Sequence, residues 1–517
     1  MTDINKFLWR GIHWILLLAC VGGLLFTASG PVLAQDTYIR WSEPINISNS
    51  KGYTSTDPFV LADPSGTAHL FWAEKVLNTE DTAADTLMYA FWDGEQWSKP
   101  NDIFFALPQE VNLIVSLPQA VMDNNGRIHL IWMGEPNAPN YALYYSSGPA
   151  SEAGSARAWE SRATLADDLT GSEYSIHIAY APPTTLHVIF ARVAAGDAPS
   201  EERAVSYMRS TDLGENWTDP VDLIVMPSLD RGASNTRLLV DPPDRVYACW
   251  TEWDSSGNGQ VVYFDRSVDN GQTWDRPMAL STRIGIEYER DWCSLGLLGP
   301  GQIVAMWEGG YRAYRYGMYS DDGGVTWSDP IDTFPWLIGE NGFVDFYADS
   351  AKSIHAFLSQ RVREGNEQRG NHEGLYTSVW MGGTNWQEPV LAWGDIPMVN
   401  PSVAIVGGNR VVVAWYSYTD LEVRAMTGEI PSAPYIPPTV LSAPILPATA
   451  TVQPAETATA TLETSSLMNT APTPASQESP AQNDLFDNPM LPVMLGIVFT
   501  ILVLVLAIWI YKFALHK

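Results

Sequence analysis

Ala120-Val-Met-Asp-Asn-Asn-Gly126 and, three residues on, His129-Leu-Ile-Trp132 read together as a β-hairpin. Apolar residues lead into an Asp/Asn/Gly turn, and a second apolar strand follows that ends in an aromatic residue. The same unit recurs along the chain. Phe59-Val-Leu-Ala-Asp-Pro-Ser-Gly66 precedes His69-Leu-Phe-Trp72, and the second strand returns at His187-Val-Ile-Phe190, Tyr247-Ala-Cys-Trp250, Val304-Ala-Met-Trp307, His355-Ala-Phe-Leu358 and Val412-Val-Ala-Trp415. The steps between first residues are 60, 58, 60, 57, 51 and 57. A second signal is a Trp followed by a polar pair and Pro, at Trp41, Trp97, Trp217, Trp274, Trp327 and Trp386, with a Pro-less copy at Trp159. Proline there suits an outer edge strand, which has no inner ladder N–H to lose.

Each unit holds four short strands, and a sheet repeat of this size buries both faces only by packing against its neighbours. The expected fold is all-β, a seven-bladed β-propeller, with six blades as the alternative. The last hairpin, Val403–Trp415, is followed by one strand only, Leu421–Met426, while Trp41 has no hairpin before it. The N-terminal strand is therefore expected to complete the last blade.

Three turns share a tighter pattern. They are Ser210-Thr-Asp212-Leu-Gly214-Glu-Asn-Trp217, Ser267-Val-Asp269-Asn-Gly271-Gln-Thr-Trp274 and Ser320-Asp-Asp322-Gly-Gly324-Val-Thr-Trp327. The pattern resembles the Asp box, or BNR repeat, of the sialidase (neuraminidase) superfamily, and the resemblance extends over the whole head. The Asp is expected to accept turn N–H groups, the Gly to take positive φ, and the Trp to pack the turn on its blade. No Glu closes a calcium loop at the right distance, so these turns read as fold staples and no metal or other cofactor is expected.

The resemblance implies a catalytic set of three arginines, a Tyr–Glu nucleophile pair and an acid/base Asp. Most of that set is missing here. Thr56-Asp57-Pro58 stands where the first Arg belongs, Glu308 where the second belongs, and Ile396-Pro-Met-Val-Asn-Pro401 lacks the Tyr. Glu289 resembles the activating Glu, and Arg361 or Arg363 is the remaining arginine candidate. An acidic channel mouth is the expectation, and it favours a neutral or cationic ligand. Segments that follow the second strand of each blade give the candidate ligand-binding residues Arg192, Arg312, Arg361, Tyr416 and Tyr418. The acidic candidates are Glu252, Glu289 and Glu308. His69, His129, His187 and His355 lie on different blades and are expected to be hydrogen-bonded strand positions.

The chain has 517 residues, 29 Lys plus Arg against 59 Asp plus Glu, and a net charge of −30, which argues against nucleic acid as a partner. Three cysteines exclude a disulfide scaffold. Cys249 and Cys293 either pair or remain as two buried thiols. Residues 1–34 read as a signal peptide, with Lys6 and Arg10, an apolar run Ile12–Phe26 and the small-residue site Val32-Leu-Ala34. Leu17-Leu-Ala-Cys20 is a competing lipoprotein box, and an uncleaved anchor is a third possibility. Residues 36–430 form the propeller head. Residues 431–488 hold 10 Pro, 10 Ala, 9 Thr and 6 Ser without Lys or Arg and read as a disordered stalk. Residues 489–511 are long and apolar enough for one transmembrane helix, and 512–517 form a cytoplasmic tail. The whole reads as a single-pass cell-membrane protein whose extracellular head binds a glycan or a surface protein. The alternatives are a diverged exo-sialidase or other glycoside hydrolase, and a structural surface component.

Overall fold

A computed structural model of the chain describes residues 38–76, 85–105, 115–137, 140–169, 175–193, 203–228, 231–283, 290–310, 313–337, 342–360, 374–394 and 398–437. All of these residues belong to one compact unit, Met1–Ile445. The expected signal segment, the transmembrane span 489–511, the tail and the stalk beyond residue 437 lie outside the described residues. Among the described residues no helix is long and apolar enough to cross a membrane.

The head is a ring of seven antiparallel sheets. Two short strands come first, β1 (Arg40–Trp41) and β2 (Ile45–Asn46). Blade I is β3 (Tyr53–Ala62), β4 (Ala68–Val76), β5 (Thr86–Trp92) and β6 (Asn101–Phe105). Blade II is β7 (Val115–Met122), β8 (Arg127–Asn137), β9 (Asn140–Pro149) and β10 (Ala163–Leu169). Blade III is β11 (Ile176–Ala181), β12 (Thr185–Arg192), β13 (Ala204–Ser210) and β14 (Val221–Val225). Blade IV is β15 (Arg231–Asp241), β16 (Arg245–Asp254), β17 (Gly259–Ser267) and β18 (Met278–Ala279). Blade V is β19 (Arg290–Gly299), β20 (Gln302–Gly309), β21 (Tyr314–Ser320) and β22 (Ile331–Asp332). Blade VI is β23 (Val344–Ala348), β24 (Ile354–Gln360) and β25 (Gly374–Gly382), with β26 (Asn385–Trp386) and β27 (Val390–Trp393) both on β25. Blade VII is β28 (Met398–Val406), β29 (Arg410–Ser417) and β30 (Glu422–Glu429), completed by β1 and β2, which both pair with β30. Seven blades and closure by the N-terminal strand match the reading of the repeat.

The recurring aromatic of the second strand is the core of each blade. Trp72, Trp132, Trp250, Trp307 and Trp415 are fully buried. Each such side chain contributes on the order of 3 kcal/mol by burial. The four histidines occupy hydrogen-bonded strand positions, as expected. Nδ1 of His69, His129 and His187 meets the hydroxyl of Tyr89, Tyr145 and Tyr207 at 2.7, 2.8 and 2.6 Å. His355 Nε2 meets Asp349 Oδ2 at 2.9 Å.

The Asp-box turns form in all three copies. In the third, Asp322 accepts from Ser320 Oγ at 2.8 Å, Thr326 N–H at 2.9 Å and Thr326 Oγ1 at 2.6 Å. These turns also join neighbouring blades. A Cβ on Gly214, Gly271 or Gly324 would fall 1.9, 1.8 or 2.5 Å from an atom of Tyr145, Tyr207 or Phe264 of the preceding blade. The Trp of each box meets the same ring edge-on, at 5.2, 4.8 and 4.9 Å. Glycine is needed for contact as well as for φ.

Cys249 on β16 and Cys293 on β19 form a disulfide, which resolves the open pairing in favour of a bond between blades IV and V. The ordered head also runs past residue 430. Ile436 N–H donates to Gly407 O at 2.8 Å, Arg410 lies over the Tyr435 ring at 5.1 Å, and Ala433 is buried.

Candidate functional site

In a propeller the first strand of each blade lines the axis. Five of these strands carry an irregularity at the same level. Register breaks occur at Thr56/Phe59, Ser116/Gln119, Ser234/Arg237, Asp291/Ser294 and Val399/Ser402. Four of the breaks hold a non-glycine residue in the left-handed region, namely Asp57 (φ 55°), Leu117 (φ 52°), Asn235 (φ 55°) and Trp292 (φ 56°). Each costs on the order of 1 kcal/mol. Such bulges re-aim side chains and collect at functional sites.

The bulged strands enclose an axial cavity of about 610 Å³ to which all seven blades contribute. Its aromatic wall is Phe59, Trp292, Phe343, Tyr347, Tyr416 and Tyr418. Trp292 meets Phe343 edge-on at 4.9 Å, and the Arg237 guanidinium lies 3.4 Å from the centre of the Phe343 ring. The charged lining is Asp57, Lys75, Arg237 and Asp345, two of each sign. Lys75 Nζ is 3.8 Å from Asp57 Oδ2.

Burial pushes the Asp345 carboxyl up to about 6, against the opposing pull of Arg237. Burial raises the Tyr347 phenol well above its ordinary value, and Asp345 adds to the rise. His177 is held neutral, its pKa lowered to about 3 by burial and then by Arg237. Its Nδ1 accepts the Leu238 N–H at 3.3 Å. The site thus presents a neutral imidazole, a phenol that keeps its proton and a carboxyl that titrates near 6.

Of the residues singled out in the sequence, Tyr416 and Tyr418 line this cavity, their rings 4.8 Å apart and Tyr418 49% exposed. Arg192 does not. It is tied to Asp168 of blade II and Asp222 of blade III at 2.8 Å each. Glu252 is buried, accepts from the Tyr263 hydroxyl at 2.9 Å and faces Arg231 at 3.6 Å. Glu308 is also buried. It lies in register between Asp291 and Arg315 on adjacent strands and accepts the Gly342 N–H at 3.3 Å. Neither glutamate lines the cavity, which corrects the expectation of a mouth made acidic by them. The lining is balanced because Arg237 and Lys75 offset Asp57 and Asp345. Glu289, Arg312 and Arg361 lie outside the described residues.

Sequence reasoning missed Arg237, Asp345, Tyr347, Trp292 and His177 because it searched the ends of second strands. The usable signal was the period of the first strand. Asp57, Leu117, Asn235 and Trp292 recur at nearly the blade spacing. Among the described residues no three potential metal ligands come together.

No protein-family model and no curated protein sequence matches the chain. Solved structures similar to it include a protein of unknown function from Dyadobacter fermentans, at 14% identity over 76% of this chain and 99% of that one, TM-score 0.44. The Hadza microbial sialidase Hz136 is similar at 12% identity over 74% and 66%, TM-score 0.43. A polysaccharide lyase of family PL25, an ulvan lyase, is similar at 13% identity over 75% and 93%, TM-score 0.47. At these values the likeness says nothing about what the axial cavity holds.

Proposed function

We propose that the chain is a glycan-binding propeller, held at the cell surface by the apolar segment 489–511, and that it takes a sugar in the axial cavity without turning it over. The observation that carries this reading is the composition of the wall. Six aromatic side chains and a few convergent polar groups surround a space of about 610 Å³, within the range of small-molecule sites. Sugar rings present apolar C–H faces to aromatic planes and hydroxyls to polar groups. Two charges of each sign give the lining no net attraction for an acid sugar, so a neutral glycan is the favoured class.

A second reading rests on Asp345. A half-buried carboxyl pushed up to about 6, two residues from a half-buried phenol on the same strand face, has the properties of a general acid. That reading is a diverged glycoside hydrolase.

One experiment separates the two. The full chain is applied to a glycan array and to fluorogenic glycosides, a sialoside included. The binding reading expects array signal that Trp292→Ala and Arg237→Ala abolish, and no turnover. Turnover lost in Asp345→Asn would establish the hydrolase, and an array without signal would end the glycan reading. Membrane attachment is tested separately: the chain should resist alkaline extraction from membranes, and a variant stopped at residue 488 should be released.

A further inference from the structure

Blade V carries a buried Glu–Arg pair at a register where the other six blades have none. Glu308 directly follows the core Trp307 and faces Arg315 on the next strand. The residues in the place of Arg315 elsewhere are Leu87, Leu143, Val205, Val262, Leu375 and Val423. All six are apolar, and the residue that faces each of them is uncharged. Glu308 is 6% exposed and Arg315 1%. Burying opposite charges costs several kcal/mol in desolvation, and packed apolar side chains in their place are often as stable or more so. The fold itself has no need of this pair, because six blades close without it.

What the pair does hold is the entry to β23. The Gly342 N–H donates to Glu308 Oε2 at 3.3 Å, and Arg315 Nη2 donates to Gly342 O at 2.5 Å. On the other side of Phe343, the Val344 N–H donates to Ser294 Oγ of β19 at 2.8 Å. Side chains of blade V thus grip the backbone of blade VI before and after Phe343. That ring is the joint of the axial wall, met edge-on by Trp292 and covered by Arg237. A third buried group acts on those two neighbours. Asp291 faces Glu308 across strands, and its Oδ1 accepts the Trp292 N–H at 2.6 Å. The same oxygen accepts from Nδ2 of Asn235, the left-handed residue of the bulge that delivers Arg237. Asp291, Glu308 and Arg315 themselves stay out of the cavity lining. Polar groups held in one geometry from behind are how a binding wall is kept in its working pose.

We propose that Glu308 and Arg315 are positioning residues: they clamp Gly342 and so hold Phe343, with Trp292 and Arg237 against it, in the pose that receives a sugar in the axial cavity. The proposal rests on the glycan reading of that cavity, yet the pose of the wall is measurable without a ligand.

The test uses the full chain in detergent, labelled with fluorotryptophan and read by fluorine NMR. The Trp292 resonance is assigned from its loss in Trp292→Phe, and Phe343→Ala marks where it falls once the ring contact is gone. Arg315→Lys keeps a positive charge beside Glu308 but removes the guanidinium that reaches Gly342 O. The double variant Glu308→Thr, Arg315→Val copies blade IV, so the clamp is lost and neither partner is left without the other. In both variants the Trp292 resonance should move toward its Phe343→Ala position, while the double variant melts no lower than wild type. Glycan signal on the array should fall about tenfold in each. Three results would overturn the proposal: the resonance stays in place in Arg315→Lys; the double variant melts lower with its resonance unmoved, which leaves the pair to the fold alone; or glycan signal is the same in wild type and both variants. A wall that moves while no glycan binds the wild type upholds the clamp and ends the glycan reading instead.

Discussion

Asp265→Met should stabilise the protein, and do so more at neutral than at acid pH. Burial pushes the Asp265 carboxyl from 3.8 up to about 7, with Asp275 adding to the rise and the Arg266 N–H opposing it. The unfolded carboxyl gives up its proton near 3.8, and the folded one near 7. Between these values the folded state holds the extra proton, so stability falls as pH rises. The slope is about 1.4 kcal/mol per pH unit, so the two units from pH 5 to pH 7 cost about 2.7 kcal/mol. Methionine cannot titrate and loses only the bond at 2.8 Å from Arg266 N–H to the carboxylate, worth about 1 kcal/mol at every pH. The advantage of the variant should therefore grow by about 2–3 kcal/mol between pH 5 and pH 8, or roughly 3–5 °C in melting temperature for a head of this size. Thermal unfolding of both proteins in matched buffers at pH 5 and pH 8 measures it. An advantage of equal size at the two pH values, or a variant that is less stable at pH 8, would refute the assignment of a desolvated carboxyl.

Other outcomes follow from the blade contacts. Gly271→Ala and Gly257→Ala meet the same φ of 77°, yet only the first drives a Cβ to 1.8 Å from the Tyr207 hydroxyl, while the second has nothing within 4 Å. Denaturant unfolding should show a loss of about 3 kcal/mol for Gly271→Ala and about 1 kcal/mol for Gly257→Ala. Replacing Cys249 and Cys293 together by Ala should cost about 3 kcal/mol, and because both are fully buried, thiol alkylation under reductant should need denaturant. Asp322→Ala should cost about 1–2 kcal/mol near neutral pH, discounted for its exposed position. The Thr326 hydroxyl and N–H and the Ser320 hydroxyl hold that carboxyl down to about 2. The stability it confers is complete above 3.8 and is lost as pH falls through about 2, so the gap between wild type and variant in thermal melts should close there.

The architecture was legible because it is written in spacing. A hairpin of period near 57, a Trp at the outer strand and a missing fourth strand at the end specify seven sheets and their closure without reference to any contact. The site was not legible in the same way. Thr56-Asp57-Pro58 and the run to Pro401 drew notice as places where arginine and tyrosine were wanting, yet Asp57, Pro58 and Pro401 line the cavity themselves. Arg237 and Asp345 carry no motif. They reach the axis because a bulge in β15 turns Arg237 inward and because β23 is the innermost strand of its blade, facts of register that composition does not encode. Glu252 and Glu308 misled for the converse reason: the end of a second strand is covered by its neighbours, and Arg231 and the Gly342 N–H meet their carboxylates.

Closure of the ring has a consequence in time. Ser42 and Thr427 meet across 385 residues of chain. During synthesis at ~5–20 residues per second, the earliest strand of the head waits roughly 20–80 s for its partner. Through that interval the edge of β1 and β2 has no mate of its own, and β30 of another nascent copy would fit it equally well. Crowded synthesis thus threatens an exchange of first strands between copies, and tethering each chain apart from its siblings until residue 429 has emerged would spare the protein that error.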